Sequence, residues 1–161
     1  MANDIHIEYG TRAEVPDSQD IICWANAALK QSHTNSEICI RIVDEEEMTV
    51  LNKKFRQISG ATNVLSFPAD IPEQVGSALL GDIVICSSIL EKEAHTQQKT
   101  LAAHWAHIVV HGCLHLAGFD HIEDSDAAEM ESKEIKILGS LGYANPYQTE
   151  PTTTNTQARA R

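Results

Sequence analysis

The segment His111-Gly112-Cys113-Leu114-His115-Leu116-Ala117-Gly118-Phe119-Asp120-His121 places three imidazoles at separations of four and six residues. Residues four apart on a helix share a face and stand about 6 Å apart along its axis. His111 and His115 can therefore reach one ion at the ~2.0–2.1 Å of a zinc–nitrogen bond. Gly118 is the residue type that most readily takes φ > 0, which ends a helix and turns the chain back. That turn can bring His121 to a third ligand position. Three protein ligands leave a tetrahedral metal one open place, the arrangement of catalytic rather than structural zinc. The expectation is one zinc ion per chain, held by His111, His115 and His121. The plainer alternative is a set of satisfied core histidines. Clustering argues against it, since of eight histidines His104, His107, His111, His115 and His121 all fall within eighteen residues.

The spacing matches the metzincin protease pattern H-E-x-x-H-x-x-G-x-x-H except at one position. Where that pattern has the glutamate that acts as general base on the metal-bound water, this chain has Gly112. The cage survives and the base for peptide hydrolysis does not, which points to a zinc hydrolase of another kind. Asp120 is a candidate to accept the outward N–H of a ligand imidazole, or else a turn residue after Gly118. His107 lies on the His111 face one turn earlier and is a candidate outer partner or general base, with a structural role as the alternative. His104 is about 10 Å along the axis from His111, too far to share its ion. Cys113 lies about 200° around the helix from both histidines and should face away as a small core residue.

These residues need a scaffold. Ile5 to Tyr9 alternates apolar and polar side chains like a strand, as does the β-branched stretch Glu37 to Val43. Pro16 and Asp17 open a helix with Ile21, Ile22, Trp24, Ala25, Ala28 and Leu29 on its apolar side. Asp44 followed by Glu47 resembles a capping box, opening a helix that carries Met48, Leu51 and Phe55. Asn63 to Phe67 reads as a short strand stopped by Pro68, and Gly81 to Cys86 as a fourth strand, with a loop through Pro72 and Gly76 between them. Ser87 or Ser88 is placed to cap a helix running to about Gln98. The histidine helix spans roughly Thr100 to Ala117 and a last helix Ser125 to Leu138. Strands and helices mix without strict alternation. The expected fold is α+β, one domain over residues 1–148, with a small mixed sheet of about four strands and about five surrounding helices. Residues 149–161, with no apolar periodicity, read as a disordered tail.

With 12 Lys and Arg against 23 Asp and Glu, the net charge of −11 argues against a general nucleic-acid binder. A polyanion partner needs a local basic patch, and Arg41, Lys53, Lys54 and Arg56 are the candidates. The acidic run Glu123, Asp124, Asp126, Glu129, Glu131 and Glu134 reads as a solvated helix face. Cys23, Cys39, Cys86 and Cys113 form no C-x-x-C pair, and no secretory signal precedes them. No stretch reaches the ~18 apolar residues of a membrane span. A reduced, cytoplasmic protein is the simplest expectation.

Three blocks carry a resemblance: Leu51-Asn52-Lys53-Lys54-Phe55-Arg56, Thr62-Asn63-Val64-Leu65-Ser66-Phe67-Pro68, and His111 through His121. On these, with Gly81-Asp82-Ile83-Val84-Ile85, the chain resembles the YbeY family of bacterial endoribonucleases over roughly residues 5 to 147. One departure is Asn63, where many relatives carry aspartate. The resemblance implies a zinc-dependent, single-strand-specific endoribonuclease that matures ribosomal RNA, in particular the 3′ end of the small-subunit RNA, and serves ribosome quality control. It implies His111, His115 and His121 as ligands and Arg56 as the important arginine. It also implies ribosomal RNA, the small ribosomal subunit, a ribosomal protein and an assembly GTPase as partners, with neither membrane nor DNA among them. A guanidinium is well shaped to hold the non-bridging oxygens on which phosphodiester cleavage builds charge, so Arg56 joins His111 as a catalytic candidate; the alternative is an exposed residue favourable to the helix dipole. Two competing functions stand beside this one: a zinc protease, and a non-catalytic ribosome-assembly factor with a structural zinc. The scissile bond, the attacking group, the general base and the oligomeric state are not specified by the residues.

Overall fold

Along β2 (Glu37–Val43), Ile38, Ile40 and Ile42 alternate with Cys39 and Arg41, and this alternation lays out the molecule. The three isoleucines are fully buried, each worth about 1.5–3 kcal/mol relative to exposure. The computed structural model describes residues 3–30, 35–69, 78–118 and 124–147. The expected loop through Pro72 and Gly76, the turn carrying Asp120 and His121, and the tail 149–161 lie outside the described residues.

β1 (Asp4–Tyr9), β2, β3 (Val64–Pro68) and β4 (Leu79–Cys86) form one mixed sheet in the order β1-β2-β4-β3. β1 and β4 run parallel to β2, and β3 runs antiparallel to β4 at the sheet edge. Helices α1 (Ser18–Leu29), α4 (Leu101–Leu116) and α5 (Asp124–Ser140) enclose the main core with Ile38, Ile40, Ile42, Ile83 and Ile85. On the other face α2 (Glu45–Arg56) brings Met48 against Val43, Leu65, Val84 and Cys86. Helix α3 (Ser87–Gln97) gives Leu90 to the first cluster and packs Ile89 on the second. The expected α+β class, four strands and five helices are all present.

Local details differ from the sequence expectations for identifiable reasons. The Asp44 side chain accepts from the Glu47 N–H at 3.2 Å, but the other half of the capping box is missing. The Glu47 carboxylate instead takes Arg41 Nε at 3.1 Å and Nη2 at 3.2 Å. Arg41 is also paired with Glu8, so its charge is spent inside the fold rather than in a basic patch. Neither serine caps α3: Cys86 holds the N-cap position, with no side-chain cap bond. Helix α5 continues through Gly139 to Ser140 because Ile137 and Leu138 are anchored in the core, where burial outweighs the ~1 kcal/mol cost of a helical glycine.

Two close approaches fix the region around the histidines. A Cβ on Gly112 would stand 3.1 Å from Ile83 Cγ2, so α4 lies tight against β4 and a side chain here would have to displace Ile83. At Gly81, φ is +147° and a Cβ would meet the Phe67 carbonyl oxygen at 2.3 Å. Only glycine lets the end of β3 pack this tightly on β4.

Candidate metal centre

Helix α4 starts at Thr100, whose side chain accepts from the Ala103 N–H at 3.1 Å. It ends at Leu116, and two residues on Gly118 turns the chain with a φ of +108°, the positive value its position demands. Between these stops His104, His107, His111 and His115 form one column. Successive ring centroids are 6.1, 6.3 and 4.7 Å apart. The spacing of three and four residues puts them on one stripe, while Cys113 points into the core, fully buried, its thiol pushed up to about 12 by burial.

His111 and His115 open onto a cleft of about 350 Å³ at the free edge of β3. Arg56, Asn63, Val64, Ser66 and Pro68 complete its lining. Arg56 is the last residue of α2, and Gln57 then turns the chain with φ +59°. The buried Asn52 donates to the Gly60 carbonyl at 2.8 Å, holding the following loop against the helix. Ser66 Oγ lies 3.4 Å from the Gly112 carbonyl. Three candidates from two separate parts of the sequence, Arg56 on α2 and His111 and His115 on α4, thus meet at one cleft. Asp120 and His121 lie outside the described residues.

Behind the column stands a buried carboxylate. Glu134 on α5 is fully buried and accepts hydrogen bonds from His111 Nδ1 and the Tyr147 hydroxyl. His107 Nε2 is 3.2 Å from the Tyr147 hydroxyl and 3.8 Å from Glu134 Oε1. Burial opposes ionisation of Glu134, but His107 and His111 beside it outweigh that and hold its carboxyl at about 2. Burial pushes the His107 pKa down, against the pull of Glu134. His107 sits behind the cleft and is absent from its lining. Ligand atoms of His107, His111 and Glu134 lie within 4.8 Å of one another, so this trio is able to hold a metal ion.

The reading of Glu134 as part of a solvated face is overturned. The signal was present in the sequence: Met130, Glu134, Ile137 and Leu138 fall at helical spacing on one stripe, and the other three are buried apolar residues. A carboxylate inside an apolar stripe needs partners. Its partners come from α4 and from Tyr147.

A second polar chain reaches the same cleft. Asn63 Nδ2 donates to both Glu93 oxygens, at 3.2 and 3.3 Å, and His104 Nε2 is 2.8 Å from Glu93 Oε1. Lys99 Nζ lies 3.3 Å from His104 Nδ1.

Comparison with known proteins follows the same lines. The family described as Endoribonuclease YbeY matches residues 7–142. A protein of that name from Stutzerimonas stutzeri is 50% identical over 145 residues, covering 89% of this chain and 91% of its own. One from Methylococcus capsulatus is 51% identical over 145 residues, covering 90% and 95%. One from Pseudomonas putida is 49% identical over 154 residues, covering 95% and 98%. A solution structure of a Thermotoga maritima protein shares 29% identity with a TM-score of 0.60, covering 92% of this chain and 99% of that one.

Proposed function

The chain belongs to the YbeY family of endoribonucleases, and from that premise we propose that it cleaves single-stranded RNA in the Arg56–His111–His115 cleft. Its substrate is precursor ribosomal RNA, in particular the 3′ end of the small-subunit RNA. The observation that carries this reading is that a guanidinium and two imidazoles a helical turn apart line one cleft of about 350 Å³. That is at the small end of ligand sites, which run ~300–1,000 Å³. It suits the sugar and phosphate of one nucleotide rather than a duplex.

Zinc is the proposed metal, with His111, His115 and His121 as ligands. The donor set fits, because imidazole nitrogens suit zinc and Glu134 accepts the His111 Nδ1 proton, which directs Nε2 to the metal. A metal within His107, His111 and Glu134 would have to break the bonds from His111 and Tyr147 to the carboxylate in a buried place, so the cleft is the better location. When bound, the metal supplies Lewis-acid polarisation of the phosphate and acidifies its water.

The side chains do the rest. Arg56 presents a planar fork that pairs with two phosphate oxygens and stabilises the charge they gain in the transition state. Glu134 keeps the His111 ring in one tautomer and one orientation. Among the described residues no helix is long and apolar enough to cross a membrane, in keeping with a cytoplasmic enzyme. At a net charge of −11, naked RNA binds weakly. Delivery by the small ribosomal subunit, a ribosomal protein or an assembly GTPase supplies the missing affinity.

Peptide hydrolysis is disfavoured by packing as well as by composition. Position 112, where a protease would need its glutamate, lies tight against Ile83, which a side chain there would have to displace. The test is incubation of tag-free, zinc-loaded protein with single-stranded RNA, duplex RNA, DNA and casein. Cleavage of single-stranded RNA alone, lost in His111→Ala and Arg56→Glu, supports the assignment. An undiminished activity in both variants would overturn it, and RNA left intact under every metal condition would leave the assembly-factor role.

A further inference from the structure

Asn63 borders the cleft with Arg56, His111 and His115, and its amide orientation is dictated from behind. An ionised carboxylate is an acceptor only, and Glu93 is held in that form: burial raises its pKa, but the hydrogen bonds from His104 and Asn63 more than offset it. The Asn63 NH₂ must therefore face Glu93, as the 3.2 and 3.3 Å contacts have it. Turning the amide over would set its oxygen against the carboxylate. Glu93 is anchored in turn. Lys99 has only N–H donors to offer His104 Nδ1, so Nε2 carries the proton donated to Glu93 at 2.8 Å. His104 itself is 2% exposed. Among the described residues the Asn63 Oδ1 has no hydrogen-bond partner, and it belongs to a side chain that lines the cleft.

We propose that Asn63 Oδ1 accepts a hydrogen bond from a ribose 2′-hydroxyl of the bound strand, with Glu93 as the positioning residue, so that the cleft selects ribose over deoxyribose. This rests on the ribonuclease reading above. The ligand must supply a donor near a phosphate held by Arg56. Phosphate oxygens only accept, base amino groups are remote and vary with sequence, and the 2′-hydroxyl is the donor that every ribonucleotide carries beside its phosphate. An aspartate here would face both Glu93 and the substrate phosphate. The neutral amide provides the acceptor without that repulsion.

The experiment uses the zinc-loaded full chain and a short single-stranded RNA oligonucleotide of mixed sequence, with one 2′-deoxy substitution at each position in turn. Cleavage rate and binding by fluorescence anisotropy are measured for wild type, Asn63→Ala and Glu93→Gln. In wild type, deoxy substitution at one nucleotide flanking the scissile bond weakens binding and slows cleavage by about three- to tenfold, the worth of one hydrogen bond. Asn63→Ala handles ribose and deoxyribose there equally. Glu93→Gln, which keeps Asn63 but frees its amide to turn, loses part of the same discrimination and serves as the readout if Asn63→Ala does not fold. Wild type that cuts RNA while Asn63→Ala retains full sensitivity at every position overturns this inference and leaves the ribonuclease reading intact. A sensitivity that follows base identity instead of the sugar assigns the contact to a base and also overturns it. Wild type that neither binds nor cuts the RNA overturns both.

Discussion

His111 Nδ1 donates to the Glu134 carboxylate across the α4–α5 interface, joining residues that are 23 positions apart in the chain. The acceptor is wholly enclosed and is shared with the Tyr147 hydroxyl. This one bond fixes which nitrogen of His111 is turned toward the cleft. It also makes the last helix part of the site, although among the described residues none of α5 lines the cleft.

Glu134→Gln keeps the volume and weakens the acceptor. Zinc affinity should fall about 10- to 100-fold, the usual cost of losing a carboxylate behind a ligand histidine. A competition titration with a chromophoric chelator checks this. Unchanged affinity would mean that Glu134 serves the fold alone.

Arg56 is exposed at the end of α2, so its removal should separate function from stability. Arg56→Lys keeps the charge but loses the fork. Its kcat/KM on single-stranded RNA should drop by about 10²-fold or more, as for other transition-state charge stabilisers. Unfolding free energy should move by no more than ~0.5 kcal/mol. A parallel loss of stability and activity would reduce Arg56 to a helix-end residue.

The parts legible in the sequence were those set by short-range physics. The His111–His115 pair follows from helical periodicity, the turn at Gly118 from its freedom at positive φ, and the strand faces from the alternating isoleucines. What escaped depended on partners distant in sequence. Glu134 looked like one of many acidic residues until α4 supplied His111. Arg41 looked like an available cation until Glu8 and Glu47 closed on it. Asn63 could not be joined to Glu93, 30 residues away, by any local pattern. The serines at the start of α3 carried the composition of a cap without its geometry.

Gly112 offers a test of packing. Alanine gains about 1 kcal/mol of helix propensity over glycine. Its Cβ would meet the fully buried Ile83 at 3.1 Å, and overpacking of this kind costs about 1–3 kcal/mol. Gly112→Ala should therefore be less stable than wild type in urea denaturation, and Gly112→Glu should fail to fold. A folded Gly112→Glu would remove the steric argument against the protease reading.

Acid should dissolve the Glu93 network. The folded pKa of Glu93 lies below its ordinary value of 4.5, because the hydrogen bonds from His104 and Asn63 outweigh burial. A depressed carboxylate contributes stability above the unfolded pKa and loses it as pH falls through the folded one. The advantage of wild type over Glu93→Gln should be constant above about pH 4.5 and shrink below it. Melting temperatures of both proteins across that range are the check, and a difference that does not change with pH would contradict it.

The most direct test of the cleft as the metal centre is metal content by mass spectrometry on tag-free wild type, His115→Ala and His107→Ala after zinc is offered. The cleft assignment predicts about one zinc per chain in wild type, loss of it in His115→Ala, and its retention in His107→Ala. Retention in His115→Ala with loss in His107→Ala would move the metal to the buried His107–His111–Glu134 trio. No stoichiometric zinc in wild type would contradict the account outright.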